Sequence, residues 1–172
     1  MMPIFTNITH SEFEAAIRAL ADQLAADDWT PDFIIGIGRG GLVPAVFLSH
    51  ASGLPMLSVD FSAQVEDFSD EPLVKLARRT RSGERLLFLD DINDSGRTIT
   101  HLRRALAAAG AVPGSVRFAT LIDNVSSAER VDYRHRTIDR RETKDWFVFP
   151  WEAVAPPAAI AEDAAEVPER IA

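Results

Sequence analysis

The stretch LLFLDDINDSGRT, residues 86–98, decides the fold. Four apolar residues are followed by two adjacent carboxylates, Asp90 and Asp91, and then by a short polar loop that contains Gly96. A helical pattern follows over residues 98–109. A buried strand that leads through a glycine loop into a helix N-terminus is typical of phosphate sites in open α/β sheets. The stretch therefore predicts an anion site at the carboxyl end of a sheet strand.

Length and composition exclude several classes of protein. The 172 residues are 47% hydrophobic and 26% charged, which fits one globular domain. The sequence contains no apolar run of about 18 residues, so no membrane span is predicted. The N-terminus also lacks the pattern of a secretory signal. Cysteine is absent, which agrees with a cytoplasmic location. The net charge of −8 disfavours nucleic acid as a partner, because a phosphate backbone needs a concentrated basic face.

Strand and helix patterns alternate along the chain. Helices are predicted over residues 9–26, 42–52 and 98–109, and Ser11 with Glu14 has the spacing of a capping box for the first of them. The alternation predicts an α/β fold with a single doubly wound, mainly parallel sheet flanked by helices. Strands are predicted over residues 33–37, 55–61, 86–89, 116–122, 131–133 and 146–149.

Two segments interrupt this alternation. Residues 62–83 are acidic first and basic afterwards, which predicts either an exposed hairpin or a mobile cover over the site. The basic residues that such a cover can bring to phosphates are Lys75, Arg78, Arg79 and Arg81. Residues 153–172 are rich in Ala, Pro and Glu, so we expect a loosely ordered acidic tail, with at most a weak helix after Pro157.

A second glycine loop lies in FIIGIGRGGLVP, residues 33–44. Gly38, Gly40 and Gly41 again stand between a strand pattern and a helix pattern, where they leave main-chain N–H groups free to face an anion. Arg39 adds a planar guanidinium that suits phosphate. The loop therefore predicts a second anion site.

Adjacent aspartates at a strand end have three common uses: they hold a metal for phosphoryl transfer, accept a phosphoryl group, or bind the hydroxyls of a ribose. Carboxylates only accept hydrogen bonds, so they suit hydroxyl donors and Mg²⁺ equally. The following loop separates these options. Residues 94–98 offer consecutive N–H groups, two hydroxyls and a guanidinium at a helix N-terminus, which makes a pocket for a terminal phosphate. A phosphate at one end and a diol at the other match ribose 5-phosphate.

Residues 86–98 resemble the phosphoribosyl-diphosphate (PRPP) signature of the type I phosphoribosyltransferases: an apolar strand, two acids, two variable residues, then Asp-Ser/Thr-Gly-x-Thr. Residues 37–44 look like the family's pyrophosphate loop, in which a non-proline cis peptide is often found, here near Gly38–Arg39. Residues 144–152, KDWFVFPWE, resemble the purine-binding end of the xanthine–guanine and hypoxanthine enzymes. The resemblance spans residues 33–152. It implies a phosphoribosyltransferase domain over residues 1–152, with a small base-binding hood from residues 1–30 and 124–152.

The resemblance implies a reaction as well as a fold. The 5-phosphoribosyl group of PRPP is expected to pass to a purine base, namely hypoxanthine, guanine or xanthine. The products are a nucleoside 5′-monophosphate and pyrophosphate, the cofactor is Mg²⁺, and the role is purine salvage. A homo-oligomer, dimer or tetramer, is expected on the same ground.

The resemblance also implies a role for individual residues. Asp90 and Asp91 would hold the ribose hydroxyls, directly or through Mg²⁺, and Glu152 would support the metal through water. Asp94 would lie beside the purine N7 and manage its proton. The 5′-phosphate would be surrounded by Asp94, Ser95, Gly96, Arg97 and Thr98, and the pyrophosphate by Arg39, Gly40 and Gly41. The base would meet the ring of Trp146, the backbone of Phe147, and Asn124.

The chain departs from the family at two places. A lysine that donates to the purine 6-oxygen usually follows the strand over residues 120–122, where this chain has Asp123 and Asn124. An amide donates or accepts and a carboxylate only accepts, so the preference for a 6-oxo over a 6-amino base is left open. The Ser-Tyr pair of the family's mobile loop is also missing, and Phe61-Ser62 is the nearest match. The alternatives are a non-catalytic protein that senses PRPP or a nucleotide, a phosphoribosyltransferase for another base, and a Mg²⁺-dependent phosphatase or receiver-like domain.

Overall fold

The structure, a computed structural model, describes residues 3–61 and 71–165. Its strands are β1 (Phe5–Asn7), β2 (Phe33–Gly38), β3 (Met56–Asp60), β4 (Leu86–Asn93), β5 (Val116–Asn124), β6 (Tyr133–Ile138) and β7 (Trp146–Val148). Its helices are α1 (His10–Ala26), α2 (Leu42–Ser52), α3 (Glu71–Arg81), α4 (Arg97–Ala108) and α5 (Pro157–Ala165).

The central sheet has five strands in the order β3-β2-β4-β5-β6, and each strand runs parallel to the strands beside it. The chain runs from β2 through α2 to β3 on one side, and from β4 through α4 to β5 on the other. The strand order therefore reverses between β2 and β4, and ligands of open α/β sheets bind at the carboxyl ends of such a pair. The predicted doubly wound α/β fold is confirmed, and both glycine loops lie at this reversal.

Helices cover both faces of the sheet, which explains the continuous apolar run in β4. Leu87 and Leu89 pack on the face of α1 and α2, whereas Leu86 and Phe88 pack on the face of α3 and α4. All four side chains are fully buried. Successive side chains of a strand point to opposite faces, so a strand buried on both sides needs an unbroken apolar sequence.

The second sheet pairs β1 with β7 in parallel, and Phe5 is opposite Trp146. It joins the N-terminal segment to the predicted purine-binding segment. The division into residues 1–152 and 153–172 stays a prediction. Within the second part, the expected weak helix after Pro157 is present as α5, with Ala164 fully buried.

Two expectations about local structure are wrong. Residues 71–81 form helix α3 rather than a hairpin or a cover, because Leu73, Leu76, Ala77 and Thr80 recur at helical spacing and are buried. Residues 62–70 of the same prediction lie outside the described residues. The capping box of α1 is formed by Thr9 and Glu12 rather than by Ser11 and Glu14.

The last strand of the central sheet also differs from the prediction. It begins at Tyr133 and runs to Ile138, instead of covering residues 131–133. Its exposed residues include Arg134, His135 and Arg136, and charged side chains are typical of a sheet edge, which they protect from pairing with another chain. Among the described helices, none is long and apolar enough to cross a membrane.

Candidate active site

The loop after β2 lies directly against the end of β4. A methyl group on Gly41 would overlap the carbonyl oxygen of Leu89, and one on Gly40 would lie 2.6 Å from Cγ of Asp91. Gly41 therefore needs glycine because backbone atoms approach it closely, whereas a methyl group on Gly40 would require the Asp91 carboxylate to move. The Gly38–Arg39 peptide bond is cis, as the family resemblance implied. The predicted pyrophosphate loop and the predicted ribose carboxylates thus form one site.

The two glycine amides of this loop differ in availability. The Gly41 N–H donates to the carbonyl oxygen of Ile37 at 2.8 Å, so it is already engaged. The Gly40 N–H has no partner within residues 3–61 and 71–165, and it remains open to an anion. Arg39 is exposed and lies near enough to Glu152 for its charge to lower the pKa of that residue.

The acidic residues are held in a crowded environment. The N–H of Asp91 donates to Oδ1 of Asp90 at 2.9 Å, and the N–H of Ile92 donates to Oδ1 of Asp91 at 2.7 Å. Asp90 is partly exposed as a residue, but burial of its carboxyl group raises its pKa to about 6. Burial likewise raises the pKa of Glu152 to about 7. The hydrogen bond from the N–H of Phe149 lowers this pKa, and the negative charge of Asp91 raises it.

This donor set fits a hard divalent cation that also binds substrate. Within the described part of the chain, no group of three or more side chains forms a ready-made metal cage. Mg²⁺ commonly takes only one or two carboxylates and completes its shell with water and substrate phosphates. Asp91 and Glu152 line one cleft and repel each other, and a cation between them would relieve that repulsion. Of the predicted metal residues, Asp91 and Glu152 share this cleft, and Asp90 precedes Asp91 at the end of β4.

The predicted phosphate loop begins α4. Gly96 has φ of +88° at the N-cap position of the helix, and as a glycine it provides no side-chain cap. The hydroxyl of Ser95 accepts from the N–H of Arg97 at 3.3 Å, and both residues are exposed. First-turn N–H groups and the helix dipole attract anions, so this end of α4 can hold a phosphate that also meets Thr98.

The connection between β5 and β6, residues 125–132, supports the phosphate loop from behind. The N–H of Ala128 donates to the carbonyl oxygen of Ser95 at 3.2 Å. Asn93 accepts from the Ser127 hydroxyl at 3.0 Å and donates to the carbonyl oxygen of Glu129 at 2.9 Å. Asn93 occupies a variable position of the signature, so no sequence pattern pointed to this role.

Arg140 is a site residue that sequence reasoning missed. Its Nε and Nη2 each donate to a different carboxylate oxygen of Asp94, both at 3.0 Å. Its Nη1 donates to the carbonyl oxygens of Asp145 at 2.6 Å and Thr143 at 3.1 Å. The pair joins residues 46 positions apart in the chain, and no local pattern predicts such a contact.

Beside these groups opens a cleft of about 200 Å³, lined by Asp91, Ile92, Arg140, Trp146, Phe147, Phe149 and Glu152. Of the predicted base-binding residues, Trp146 and Phe147 line it and Asn124 does not. The Asn124 side chain is buried: its amide donates to the carbonyl oxygen of Asp94 at 2.9 Å, and its oxygen accepts from the N–H of Arg140 at 3.1 Å. The structure thus gives Asn124 a place behind the cleft, where it joins Asp94 to Arg140.

The basic residues expected to reach pyrophosphate do not line the cleft either. Lys75 forms an ion pair with Glu71, and Arg79 forms one with Glu84. Arg81 donates to the carbonyl oxygens of Ala109 and Gly110. A contact of Lys75, Arg78, Arg79 or Arg81 with pyrophosphate stays a prediction.

The fold and its two glycine loops place candidate anion-binding sites at the switch point of a parallel sheet. The phosphoribosyl transferase domain family matches residues 6–155, and the chain belongs to this family of phosphoribosyltransferases. The xanthine-guanine phosphoribosyltransferase of Idiomarina loihiensis is 30% identical over 149 residues, which are 84% of this chain and 85% of that protein.

Solved structures have the same fold. A purine phosphoribosyltransferase from Pyrococcus horikoshii Ot3 has a TM-score of 0.63 and 26% identity, over 88% of this chain and 96% of that one. The Helicobacter pylori xanthine-guanine-hypoxanthine phosphoribosyltransferase has a TM-score of 0.64 over 86% of this chain and 93% of that one. Its identity of 18% supports the fold alone.

Proposed function

We propose that the protein transfers the 5-phosphoribosyl group of PRPP to a 6-oxopurine, namely hypoxanthine, guanine or xanthine. The products are the nucleoside 5′-monophosphate and pyrophosphate. One observation carries the proposal: the cleft lined by Trp146 and Phe147 opens beside Asp91 and Arg140, the partner of Asp94, so a base there lies next to a ribose held by the signature. The names of the relatives from Idiomarina loihiensis and Pyrococcus horikoshii support a purine as acceptor.

The chain's own residues meet the charges that the reaction creates. Breaking the bond between C1 of ribose and the pyrophosphate oxygen builds positive charge on the ring and negative charge on the leaving group. Asp90 and Asp91 lie where they oppose the ring charge, because preorganised charges in an enclosed site stabilise developing charge strongly. Arg39 and the Gly40 N–H face the leaving pyrophosphate. The engaged Gly41 N–H supports the loop instead.

The remaining groups orient the two substrates. The N-terminus of α4, with Ser95 and Thr98, holds the 5′-phosphate. Asp94, whose two oxygens each accept from the Arg140 guanidinium, accepts the purine N7 proton, since two carboxylate oxygens offer about four acceptor sites. Trp146 stacks on the base, and the backbone of Phe147 contacts its edge.

Mg²⁺, when bound, supplies positive charge to the pyrophosphate and the ribose hydroxyls. Asp90, Asp91 and Glu152 would hold it together with substrate oxygens.

The test is incubation of the protein with PRPP, Mg²⁺ and one base at a time, with chromatographic detection of the nucleotide. We expect nucleotide and pyrophosphate in equal amounts from at least one of hypoxanthine, guanine and xanthine. Asp94→Asn keeps the side-chain size and removes the proton acceptor, so we expect kcat to fall about 10²- to 10⁴-fold. Turnover of a pyrimidine base with no product from any purine would contradict the proposal.

A second candidate is a non-catalytic protein that senses PRPP or a nucleotide. It is favoured by the missing lysine after β5 and by the engaged Gly41 N–H. It predicts tight binding of PRPP or a nucleotide without turnover in the same assay. For the enzyme we further propose a role in purine salvage in the cytoplasm. We also propose that it forms a dimer or tetramer, and light scattering after size-exclusion chromatography would test this oligomeric state.

A further inference from the structure

Arg140 is the only cation among the described residues that line the cleft. A guanidinium carries five N–H groups in a rigid planar arrangement. Two of them, on Nε and Nη2, bind Asp94, and two on Nη1 bind the carbonyl oxygens of Thr143 and Asp145. The second N–H of Nη2 has no acceptor among residues 3–61 and 71–165. Arg140 therefore lines the cleft with one unused N–H, on the same nitrogen that binds the Asp94 carboxylate.

The guanidinium is held firmly in this position. Arg140 is 9% exposed, and its main-chain N–H is bound by the side-chain oxygen of Asn124. Its Cζ lies 5.4 Å from the ring centroid of Phe147. A donor that is already oriented discriminates between ligands without first losing conformational entropy.

Asp94 and Arg140 together present an acceptor next to a donor. The edge of a purine that carries N7 and the C6 substituent has the matching pattern when N7 is protonated and C6 carries an oxo group, since the oxygen only accepts. A 6-amino group presents N–H donors there instead, and they would face the N–H of Arg140.

We propose that Arg140 selects the base by donating this remaining Nη2 N–H to the 6-oxo group while Asp94 accepts from N7. The inference rests on the proposed function. In the reaction, the lone pair of N9 forms the bond to C1 of ribose. The bond from C1 to the pyrophosphate oxygen breaks with its electron pair on pyrophosphate. The N7 proton passes to Asp94, which releases it to solvent after the product leaves.

The test compares kcat/KM for hypoxanthine and adenine, which differ at C6 and in the proton on N1, in the wild type and in Arg140→Gln. We expect the wild type to prefer hypoxanthine and the variant to lose about 10- to 100-fold of that preference, because a glutamine amide both donates and accepts. Arg140→Lys keeps a donor and retains a preference for hypoxanthine. Arg141→Gln is the matched control, since Arg141 is 77% exposed and pairs with Asp139, and its ratio stays at the wild-type value.

A positioning role alone gives a different result. If Arg140→Gln lowers kcat/KM for both bases equally, so that the ratio changes less than about twofold, Arg140 only orients Asp94 and the proposal is overturned. A wild type that uses adenine as well as hypoxanthine would also overturn it, although the proposed transfer to purines would stand.

Binding measurements separate failure of this inference from failure of the proposed function. Calorimetric titration with inosine and adenosine 5′-monophosphates needs no turnover. If the wild type forms no nucleotide from any purine, a preference for the inosine nucleotide that is lost in Arg140→Gln still supports the role of Arg140. Equal affinity of the wild type for both nucleotides overturns it. If Arg140→Gln does not fold, as measured by circular dichroism, the wild type and Arg140→Lys decide the question in the same titration.

Discussion

Replacement of Gly40 by alanine tests the contact between the two loops of the site. The added methyl would lie 2.6 Å from Cγ and 2.8 Å from Oδ1 of Asp91. The Asp91 carboxylate must therefore turn away and give up the hydrogen bond that Oδ1 accepts from the N–H of Ile92. A hydrogen bond to a charged group contributes about 1.5–3 kcal/mol, and partial exposure of Asp91 reduces this. We expect Gly40→Ala to lower the free energy of unfolding by about 1–2 kcal/mol.

Gly41→Ala provides the contrast. Its methyl would overlap the carbonyl oxygen of Leu89 and lie 2.9 Å from the backbone N of Ile37. Backbone atoms of two central strands have no rotamer through which they can yield. We therefore expect a loss of more than about 3 kcal/mol, in the range of severe core changes.

Urea unfolding, monitored by circular dichroism, measures the loss in free energy of unfolding for both variants. Steady-state kinetics measures KM for PRPP. Gly40→Ala is expected to stay folded with a raised KM for PRPP, because the displaced Asp91 carboxylate would no longer face the ribose in the proposed complex. Val46→Ala, an exposed change on α2, is the control and leaves both quantities near the wild type. If Gly40→Ala has wild-type stability and an unchanged KM, the loop after β2 does not lie against Asp91.

Three further predictions concern other parts of the fold. Tyr133→Phe removes the hydroxyl that donates to Asp27 at 2.9 Å and accepts from Arg117 at 2.6 Å, so urea unfolding should register a loss of about 1 kcal/mol. Hydrogen bonds from the Trp29 N–H and then from the Tyr133 hydroxyl lower the pKa of Asp27 in the folded state. The contribution of Asp27 to the free energy of unfolding is therefore present above its unfolded pKa and is lost as pH falls below about 4. Asp27→Asn should weaken this acid dependence in thermal melts. Gly96→Ala combines φ of +88° with a methyl 2.8 Å from the Ser127 hydroxyl oxygen, so we expect a loss of about 1–3 kcal/mol in urea unfolding and a higher KM for PRPP.

The central sheet could be predicted because its strands are short apolar runs and each active loop adjoins one of them. The run before Asp90 and the glycines after Ile37 determine the local structure by themselves. Helix α3 was missed although its signal is present: Leu73 and Leu76 have helical spacing, but the surrounding charges gave the segment the composition of a solvated loop. The correct capping box lies only two residues before the predicted one, which is within the usual error of helix boundaries.

The contacts of Arg140 and Asn124 at the cleft could not be predicted in the same way. Arg140 lies in a segment without a motif, and its partner Asp94 is distant in sequence. Asn124 was predicted to contact the base because of its position after β5. In the structure its side chain is buried behind the cleft, where it bonds to the backbone of Asp94 and of Arg140. Such contacts follow from the packing of β4, β5 and the segment before β7, which no local pattern encodes.

A crystal structure with inosine 5′-monophosphate tests the assignment of the whole site most directly. We predict the phosphate at the N-terminus of α4, within hydrogen-bond distance of Ser95 and Thr98, and the base in the cleft against Trp146 with its 6-oxygen at Arg140. A phosphate bound at Gly40 instead, with the base outside the cleft, would contradict it.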